Sequence, residues 1–285
     1  MPELPEVETL AGSLDHELRG RTVDQVLLRS VAALKTYDPP LAALLGRRVT
    51  GCGRIGKFID LRLDPLHLVV HLGRAGWLRV RKEPGETRPA QRGPLAARLL
   101  FDDGSALDVT EQGTEKRLAM YVVRSPGDVV GVARLGIDAR DPELTRERLG
   151  ALLAESRGTI KAVLADQTVI AGIGNAYSDE ILHAARLSPF RTASRLEPGE
   201  LERLHGSIGT VLADAIARAR EVPTGELRDS KRSSMRVHGR AGQPCPVCGE
   251  TVREVSLSSR SFQYCPGCQT GGRVYADRRM SRLLR

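Results

Sequence analysis

The chain has 285 residues, 41% of them hydrophobic, so it is long enough for about two domains and apolar enough to build a core. It has no run of about 18 apolar residues, which excludes a transmembrane helix. Its acidic start, MPELPEVETL, has neither the basic nor the apolar region of a secretion signal. These features predict a cytoplasmic protein, in a bacterium one of the cytosol or nucleoid, with no membrane partner.

The excess positive charge lies in the last fifth of the chain. Residues 228–285 hold twelve Lys or Arg and four Asp or Glu, and the other 227 residues hold 31 of each sign. The net charge of +8 therefore comes entirely from this segment. A concentrated basic segment favours a polyanion such as nucleic acid as partner, with a solubilising tail as the alternative.

The N-terminal part of the chain predicts one helix followed by many short strands. Apolar residues recur at helical spacing over residues 6–18. Turn signals such as DDG and SPG separate the β-like stretches that follow. Many short strands with glycine-rich turns predict a β-sandwich over residues 1–125. The predicted strands are Thr22–Leu28, Arg48–Gly51, Phe58–Leu63, His67–His71, Trp77–Val80, Ala97–Phe101, Leu107–Thr110 and Met120–Val123.

The C-terminal part predicts helices, which makes the chain an α+β protein. Residues 126–142 are a predicted linker, and a helical domain follows over residues 143–235. The polar stretch 223–236 is predicted as a loop, residues 236–270 as a cysteine-containing unit and residues 271–285 as a basic extension. The predicted helices are Leu144–Ala154, Thr159–Leu164, Asn175–Ala185 and a longer one that includes Leu201 and Ile216.

Four of the five cysteines form two CxxC pairs that predict a metal site. Sixteen residues separate Cys248 from Cys265, and each pair places two thiolates on one turn. Four sulfur ligands in a tetrahedron suit one Zn²⁺ ion and leave no coordination position for substrate, so the metal is structural. The predicted ligands are Cys245, Cys248, Cys265 and Cys268.

The segment Ala171-Gly-Ile-Gly174-Asn175 predicts a tight turn before a helix. Glycine permits the backbone angles that such a turn needs, and Asn175 is a good N-cap residue. The N–H groups at a helix N-terminus form a natural phosphate site. An ordinary capped helix corner fits the same residues equally well.

The first residues contain a potential amine nucleophile. A small second residue such as Pro2 normally allows removal of Met1, which exposes a secondary amine. Such an amine is partly neutral near pH 7 and can attack a sugar C1′ to form an iminium ion, while Glu3 is placed to move protons. A capped helix entry is the alternative for these residues taken alone.

The motifs together resemble the formamidopyrimidine-DNA glycosylase and endonuclease VIII family. They are MPELPEVET at the start, Lys57 in RIGKF, His71-Leu-Gly73, AGIGNAYSDE at 171–180 and the four-cysteine finger, in this order. The resemblance covers nearly the whole chain, up to about Gln269, and PELPE favours the formamidopyrimidine branch. It implies a β-sandwich flanked by helices, then a helix–two-turn–helix domain with the zinc finger, and damaged double-stranded DNA bound in the cleft between them.

The resemblance also implies roles for individual residues. Attack by Pro2 on C1′ expels the damaged base, and the iminium acidifies the C2′ proton, so the strand breaks by β-elimination with δ-elimination as a further step. The enzyme is expected to act as a monomer. The implied catalytic residues are Pro2, Glu3, Glu6 and Lys57, and the implied DNA-binding residues are His71, Arg74, Arg117, Lys161, Asn175 and Arg260.

Two segments depart from the family pattern. Arg74 replaces a methionine that fills the gap left by the flipped base, and Lys116-Arg117-Leu118-Ala119 replaces an Arg-Phe pair, with Leu118 as the predicted apolar wedge. Family members that act on 8-oxoguanine have a longer capping loop where this chain has the short segment 223–236. The short segment disfavours 8-oxoguanine as the substrate, so ring-opened purines or oxidised pyrimidines are the expected lesions.

These departures leave two other hypotheses open. A member of the family that recognises DNA without cutting it would also carry an altered wedge and a short lid. A zinc-ribbon protein of transcription or RNA metabolism would explain the finger and the charge, but it leaves PELPE and GIGN as coincidences.

Overall fold

The computed structural model of the protein describes residues 1–83, 93–257 and 260–276, with the side chains of residues 257 and 260 outside that set. The chain divides into two units. The N-terminal unit comprises Met1–Arg134 and Val222–Leu227, and the C-terminal unit comprises Leu135–Glu221 and Arg228–Arg285.

Helix α1 (Leu4–Leu18) opens the N-terminal unit. It begins two residues earlier than the apolar spacing predicts, because Pro5 in its first turn has the backbone angle that a helix start requires. Its apolar stripe is buried and packs against the sheet that contains Cys52 and Ile59. The helix therefore holds the chain start against a sheet.

Eight strands of the N-terminal unit form two four-stranded antiparallel sheets among the described residues. One sheet has the order β1–β6–β7–β5 and the other has the order β2–β3–β4–β8. This arrangement agrees with the predicted β-sandwich. The strands are β1 (Val23–Leu28), β2 (Gly51–Ile55), β3 (Phe58–Leu63), β4 (Leu66–His71), β5 (Gly76–Arg81), β6 (Leu95–Phe101), β7 (Ala106–Glu111) and β8 (Ala119–Val123).

The predicted strand Arg48–Gly51 is wrong, because the second strand runs over Gly51–Ile55 instead. Its sequence GCGRI contains two glycines and suggests a turn. Pairing with β3 in the register Gly51↔Arg62 to Ile55↔Phe58 overrides that local preference. The other seven predicted strands agree with the structure to within two residues at each end.

The C-terminal unit is mainly helical. Helix α2 (Val130–Ala133) precedes it at the end of the N-terminal unit, and the first strand of the C-terminal unit, β9 (Ile137–Asp138), pairs in parallel with β10 (Ile170–Ala171). No helix among the described residues is long and apolar enough to cross a membrane. Helix α7 (Leu227–Ser234) begins at the last residue of the N-terminal unit and continues into the C-terminal unit. The other described α-helices and strands are α3 (Arg146–Ala154), α4 (Ile160–Leu164), α5 (Asn175–Ala184), α6 (Pro198–Arg220), β11 (Arg253–Leu257), β12 (Arg260–Tyr264) and α8 (Pro266–Gln269).

The prediction of a loop over 223–236 is wrong, because α7 lies within it. Its sequence LRDSKRSS has one apolar residue, so no helical periodicity is visible. Tertiary contacts supply what the sequence pattern lacks: Leu227 is buried, and Lys231 Nζ lies 4.6 Å from the centre of the Tyr177 ring.

Candidate active site and DNA-binding residues

The chain start forms a buried acidic site at the N-terminus of α1. Pro2 is buried, and Glu3 and Glu6 are each only 2% exposed. The Glu3 N–H donates a hydrogen bond to Glu6 Oε2 at 2.8 Å, so the Glu6 carboxylate caps the helix and anchors the residue that follows Pro2. Two predicted catalytic carboxyl groups therefore lie beside the predicted nucleophile.

Lys57 lies in the tight turn between β2 and β3. Gly56 has φ of +57°, which a non-glycine residue adopts only with strain, and Lys57 is 6% exposed. Arg54 fixes this turn: its Nη1 donates to the Gly56 carbonyl oxygen at 2.9 Å, and its Nε donates to Glu8 Oε2 at 2.7 Å. The ion pair ties the turn that contains Lys57 to the helix that begins beside Pro2.

His71 lies at the end of β4, opposite Phe58 in the β-sheet register, with ring centroids 4.8 Å apart. Burial, and to a lesser extent the positive charge of Lys57, lower the pKa of His71 to about 4. The Gly73 N–H donates to His71 Nδ1 at 3.3 Å, so the neutral ring carries its proton on Nε2. His71 is thus a neutral hydrogen-bond donor near Lys57.

Arg74 and Arg117 come from different loops and share one carboxylate. Arg74 Nη1 lies 2.9 Å and Arg117 Nε 3.5 Å from Glu115 Oε2, and all three side chains are exposed. The predicted wedge Leu118 is instead buried, at 2% exposure, and its N–H donates to Glu111 Oε1. A buried side chain cannot enter the DNA stack from this position, so the prediction for Leu118 is wrong for this conformation.

Asn175 is the first residue of α5 rather than its N-cap, which is Gly174. The N-cap prediction is therefore wrong. Gly172, with φ of +102°, makes the turn before the helix, and Gln167 holds that turn by accepting from the Gly172 N–H and donating to the Ile173 carbonyl. Asn175 Oδ1 is buried and has no hydrogen-bond partner among the described residues. Its amide nitrogen, Nδ2, donates to Ser261 Oγ at 3.4 Å. This donor, rather than the acceptor Oδ1, is the group that suits a ligand such as phosphate.

Lys161 is placed away from any surface that DNA could touch. Its side chain has no exposed area, and its Nζ lies 2.5 Å from Asp179 Oδ1 and also donates to the Ser261 carbonyl oxygen. The predicted direct DNA contact of Lys161 is therefore corrected. Lys161 holds β12, the strand that begins at Arg260, against α5.

Two neighbouring acids of α5 anchor the segment before the finger. Asp179 Oδ2 lies 2.9 Å from His238 Nδ1, and the Glu180 carboxylate accepts the backbone N–H groups of Arg236, Val237 and His238 at 2.8–2.9 Å. Sequence reasoning missed both roles. The available signal was the pair of adjacent acids Asp179 and Glu180 directly before the apolar residues Ile181 and Leu182, since acidic residues are seldom buried without partners.

Arg260 begins β12, and its backbone pairs with Leu257 across the β11–β12 hairpin. Its side chain lies outside the described residues, so its predicted phosphate contact remains a prediction. The part of the basic extension beyond residue 276 also lies outside the described residues.

The four finger cysteines converge as a metal site requires. Their sulfur atoms all lie within 4.8 Å of one another, with Cys245 and Cys268 3.9 Å apart and Cys248 and Cys265 3.3 Å apart. A tetrahedral zinc ion bound at about 2.3 Å places its sulfur ligands roughly 3.8 Å apart. The donor set therefore fits one structural Zn²⁺, as predicted.

Three domain families match the chain. The formamidopyrimidine-DNA glycosylase N-terminal domain matches residues 1–117, the formamidopyrimidine-DNA glycosylase H2TH domain matches residues 135–224, and the zinc finger found in FPG and IleRS matches residues 242–271. The order of the three matches is the one that the motifs predict.

Two curated relatives are similar over half of the chain or more. The formamidopyrimidine-DNA glycosylase of Symbiobacterium thermophilum is 37% identical over 280 residues, which cover 94% of this chain and 89% of that protein. An uncharacterized formamidopyrimidine-DNA glycosylase-like protein of Mycobacterium tuberculosis is 57% identical over 151 residues, covering 53% of this chain and 94% of that protein.

A solved structure has the same fold. MutM in complex with DNA containing carbocyclic 8-oxo-G has a TM-score of 0.82 at 25% identity, covering 94% of this chain and all of that chain. The chain therefore belongs to the formamidopyrimidine-DNA glycosylase family of enzymes.

Proposed function

We propose that this protein is a bifunctional DNA glycosylase and AP lyase of bacterial base excision repair. The observation that supports this most directly is the buried N-terminus of α1, where Pro2 adjoins Glu3 and the Glu6 carboxylate. Removal of Met1 converts the Pro2 nitrogen from an amide into a secondary amine, the group that the chemistry needs. The monomer is the proposed working form, in the bacterial cytoplasm.

The Pro2 nitrogen attacks C1′ of the damaged nucleotide with its lone pair, and the C1′–base bond breaks as the base leaves with a proton. Glu3 supplies that proton, or the proton that O4′ takes up as the C1′–O4′ bond breaks and the sugar ring opens. Ring opening, with loss of the Pro2 N–H proton, leaves an iminium double bond between C1′ and the Pro2 nitrogen. The resulting iminium ion acidifies C2′; loss of a C2′ proton then breaks the C3′–O bond by β-elimination. In a second elimination, at the δ position, loss of the C4′ proton breaks the C5′–O bond and releases the phosphate on the 5′ side. Hydrolysis of the iminium ion then frees Pro2.

Flipping the target nucleotide out of the duplex costs a few kcal/mol, which contacts to the flanking phosphates offset. Lys57, neutral His71, Asn175 and Arg260 are the proposed phosphate contacts. The four finger cysteines hold zinc, which supplies a cross-link that stabilises the β11–β12 hairpin and takes no part in the reaction.

Ring-opened purines and oxidised pyrimidines are the proposed substrates. Helix α6 ends at Arg220 and the Glu180 carboxylate binds the backbone from Arg236 onward, so the segment that we propose covers a flipped base comprises residues 221–235. Eight of these residues form α7. A short helical connection favours a shallow pocket for the flipped base, rather than a pocket closed by a long loop, and therefore these substrates rather than 8-oxoguanine.

Borohydride trapping tests the function. The wild-type protein is expected to give a covalent adduct with abasic DNA, and peptide mapping should locate the DNA on Pro2. Pro2→Gly and Glu3→Gln should lose base excision, whereas Pro5→Ala, a change at a neighbouring proline, should still give the adduct. Absence of an adduct on every damaged duplex would overturn the proposal.

A damage-binding protein without turnover is the second candidate. The observation in its favour is the buried Leu118 beside exposed arginines, since an apolar wedge is absent from the described tips of these two loops. Tight, salt-dependent binding to lesion duplexes with neither base release nor adduct would identify it.

A further inference from the structure

Two loops of the N-terminal unit are fixed against each other. The β4–β5 turn contains Gly73, whose φ is +56° and where an added Cβ would lie 2.6 Å from the Arg117 carbonyl oxygen. The β7–β8 loop is held by Glu111, which accepts the backbone N–H groups of Arg117 at 2.5 Å and Leu118 at 2.8 Å. The backbones of the two loops therefore form one frame without help from the exposed side chains.

Three charged side chains project from this frame. Arg74 and Arg117 are 60% and 62% exposed, and Glu115, 57% exposed, contacts both. Each guanidinium has five donors, of which one carboxylate can satisfy only a few. The three side chains together carry one net positive charge. The Glu115 carboxylate lies between the two guanidinium groups and contacts both.

We propose that Glu115 is a specificity-determining residue that masks Arg74 and Arg117 and so suppresses binding to undamaged duplex DNA. This inference rests on the proposed function, because it takes duplex DNA as the ligand. On intact DNA the carboxylate repels phosphates and competes for both guanidinium groups.

A flipped nucleotide offers the two arginines new hydrogen-bond acceptors that compete with Glu115. It leaves a gap in the stack and an unpaired base whose ring nitrogens and carbonyl oxygens accept hydrogen bonds. Exposed ion pairs are weak, so the arginines can leave Glu115 for such acceptors. Intact duplex has no gap, and there the arginines stay masked. Glu115 thus weakens binding to intact sites more than binding to lesions.

Glu115→Gln tests the inference, because the exposed amide keeps the shape and removes the charge. Affinity is measured by fluorescence anisotropy over a salt series, for an undamaged duplex and for one with a tetrahydrofuran abasic analogue. The undamaged duplex should bind about three- to tenfold more tightly. The slope of log K against log salt should steepen by about 0.9 for each arginine released. Affinity for the analogue should rise by a smaller factor, because the cost of breaking two weak, exposed ion pairs is all that the variant removes there.

Two controls separate the masking effect from bulk charge. Glu83→Gln removes the same charge from another exposed residue of the N-terminal unit. In the described part of the chain, Glu83 forms no ion pair with Arg74 or Arg117. This variant should leave the slope of log K against log salt unchanged. In an Arg74→Gln/Arg117→Gln background, Glu115→Gln should have no effect.

An unchanged undamaged-duplex affinity in Glu115→Gln, an equal gain on both duplexes, or an equal gain in Glu83→Gln would each overturn the masking role. The proposed function is tested separately: a wild-type protein that binds no duplex and gives no borohydride adduct contradicts that function instead.

Discussion

Lys161 Nζ lies 2.5 Å from Asp179 Oδ1, and neither side chain has any exposed surface. The other carboxylate oxygen of Asp179 binds His238, and Lys161 also donates to the carbonyl oxygen of Ser261. One buried carboxylate thus connects α4, α5, the segment before the finger and β12. The positions of Asn175 and Arg260, at the ends of two of these elements, depend on it.

Lys161→Met should destabilise the protein by about 3–5 kcal/mol, because it leaves the Asp179 carboxylate buried without its main counter-ion. The free energy of unfolding from urea denaturation measures this. Lys161→Met combined with Asp179→Leu should recover part of the loss, since no unpaired charge remains. A loss below about 1 kcal/mol in the single variant would show that the pair does not anchor these elements.

Arg54→Gln should slow the chemical step more than it weakens binding. The Arg54–Glu8 ion pair joins the Lys57 turn to the helix that begins beside Pro2, and small misplacement of catalytic groups costs up to about 100-fold in rate. Single-turnover strand cleavage at saturating abasic DNA should fall about 10- to 100-fold, while the dissociation constant changes less than about threefold.

A matched control for this variant is Arg19→Gln, which breaks an exposed ion pair with Asp15 at the other end of the same helix. It should leave the cleavage rate unchanged. Arg54→Lys should restore part of the rate, since lysine keeps the charge but cannot bond Glu8 and the Gly56 carbonyl in the same way. Equal losses in rate and affinity would argue for a general folding defect.

Stability should fall with acid because of His71. Its pKa is lowered to about 4 in the folded protein from about 6.5 in the unfolded chain, so the unfolded state binds the proton first. Its contribution is complete above pH 6.5 and is lost as the pH falls toward 4, by up to roughly 3 kcal/mol. Urea unfolding of wild-type and His71→Asn protein between pH 4 and 7 measures the difference.

The wild-type free energy of unfolding should drop more steeply than that of His71→Asn over this range. His183 also has its pKa lowered to about 4 and is present in both proteins, so it cancels in the comparison. Parallel curves for the two proteins would contradict a buried neutral His71.

Zinc removal should unfold the finger and leave the N-terminal unit folded. Four thiolates without metal repel one another or take up protons, and the small core of Val237, Val252 and two of the cysteines is too small to fold alone. Treatment with a chelator should expose residues 236–276 to proteolysis and lower DNA affinity, and added zinc should reverse both. Protease resistance of the metal-free finger would contradict a zinc-dependent fold.

Features that depend on neighbours in the chain could be predicted from the sequence. Two CxxC pairs place four thiolates on two turns, so their spacing alone identifies Cys245, Cys248, Cys265 and Cys268 as the zinc ligands. Strand β3 has the bounds predicted, Phe58–Leu63, since its residues alternate and glycine and proline mark both ends. The role of the chain start came from resemblance, as Pro2 and Glu3 by themselves also fit a helix cap.

Features that depend on distant residues were decided only by the tertiary structure. Lys161 is buried because Asp179, eighteen residues away, and Ser261, one hundred residues away, come to it. Leu118 is buried because Glu111 accepts its N–H and because Gly76, which lacks a Cβ, leaves room for its side chain. Arg117 and Glu115 stay exposed. Helix spacing and turn residues are local patterns, which extend over a few positions of the chain. Burial depends on contacts with residues that are distant in the chain, and a single sequence does not reveal those contacts.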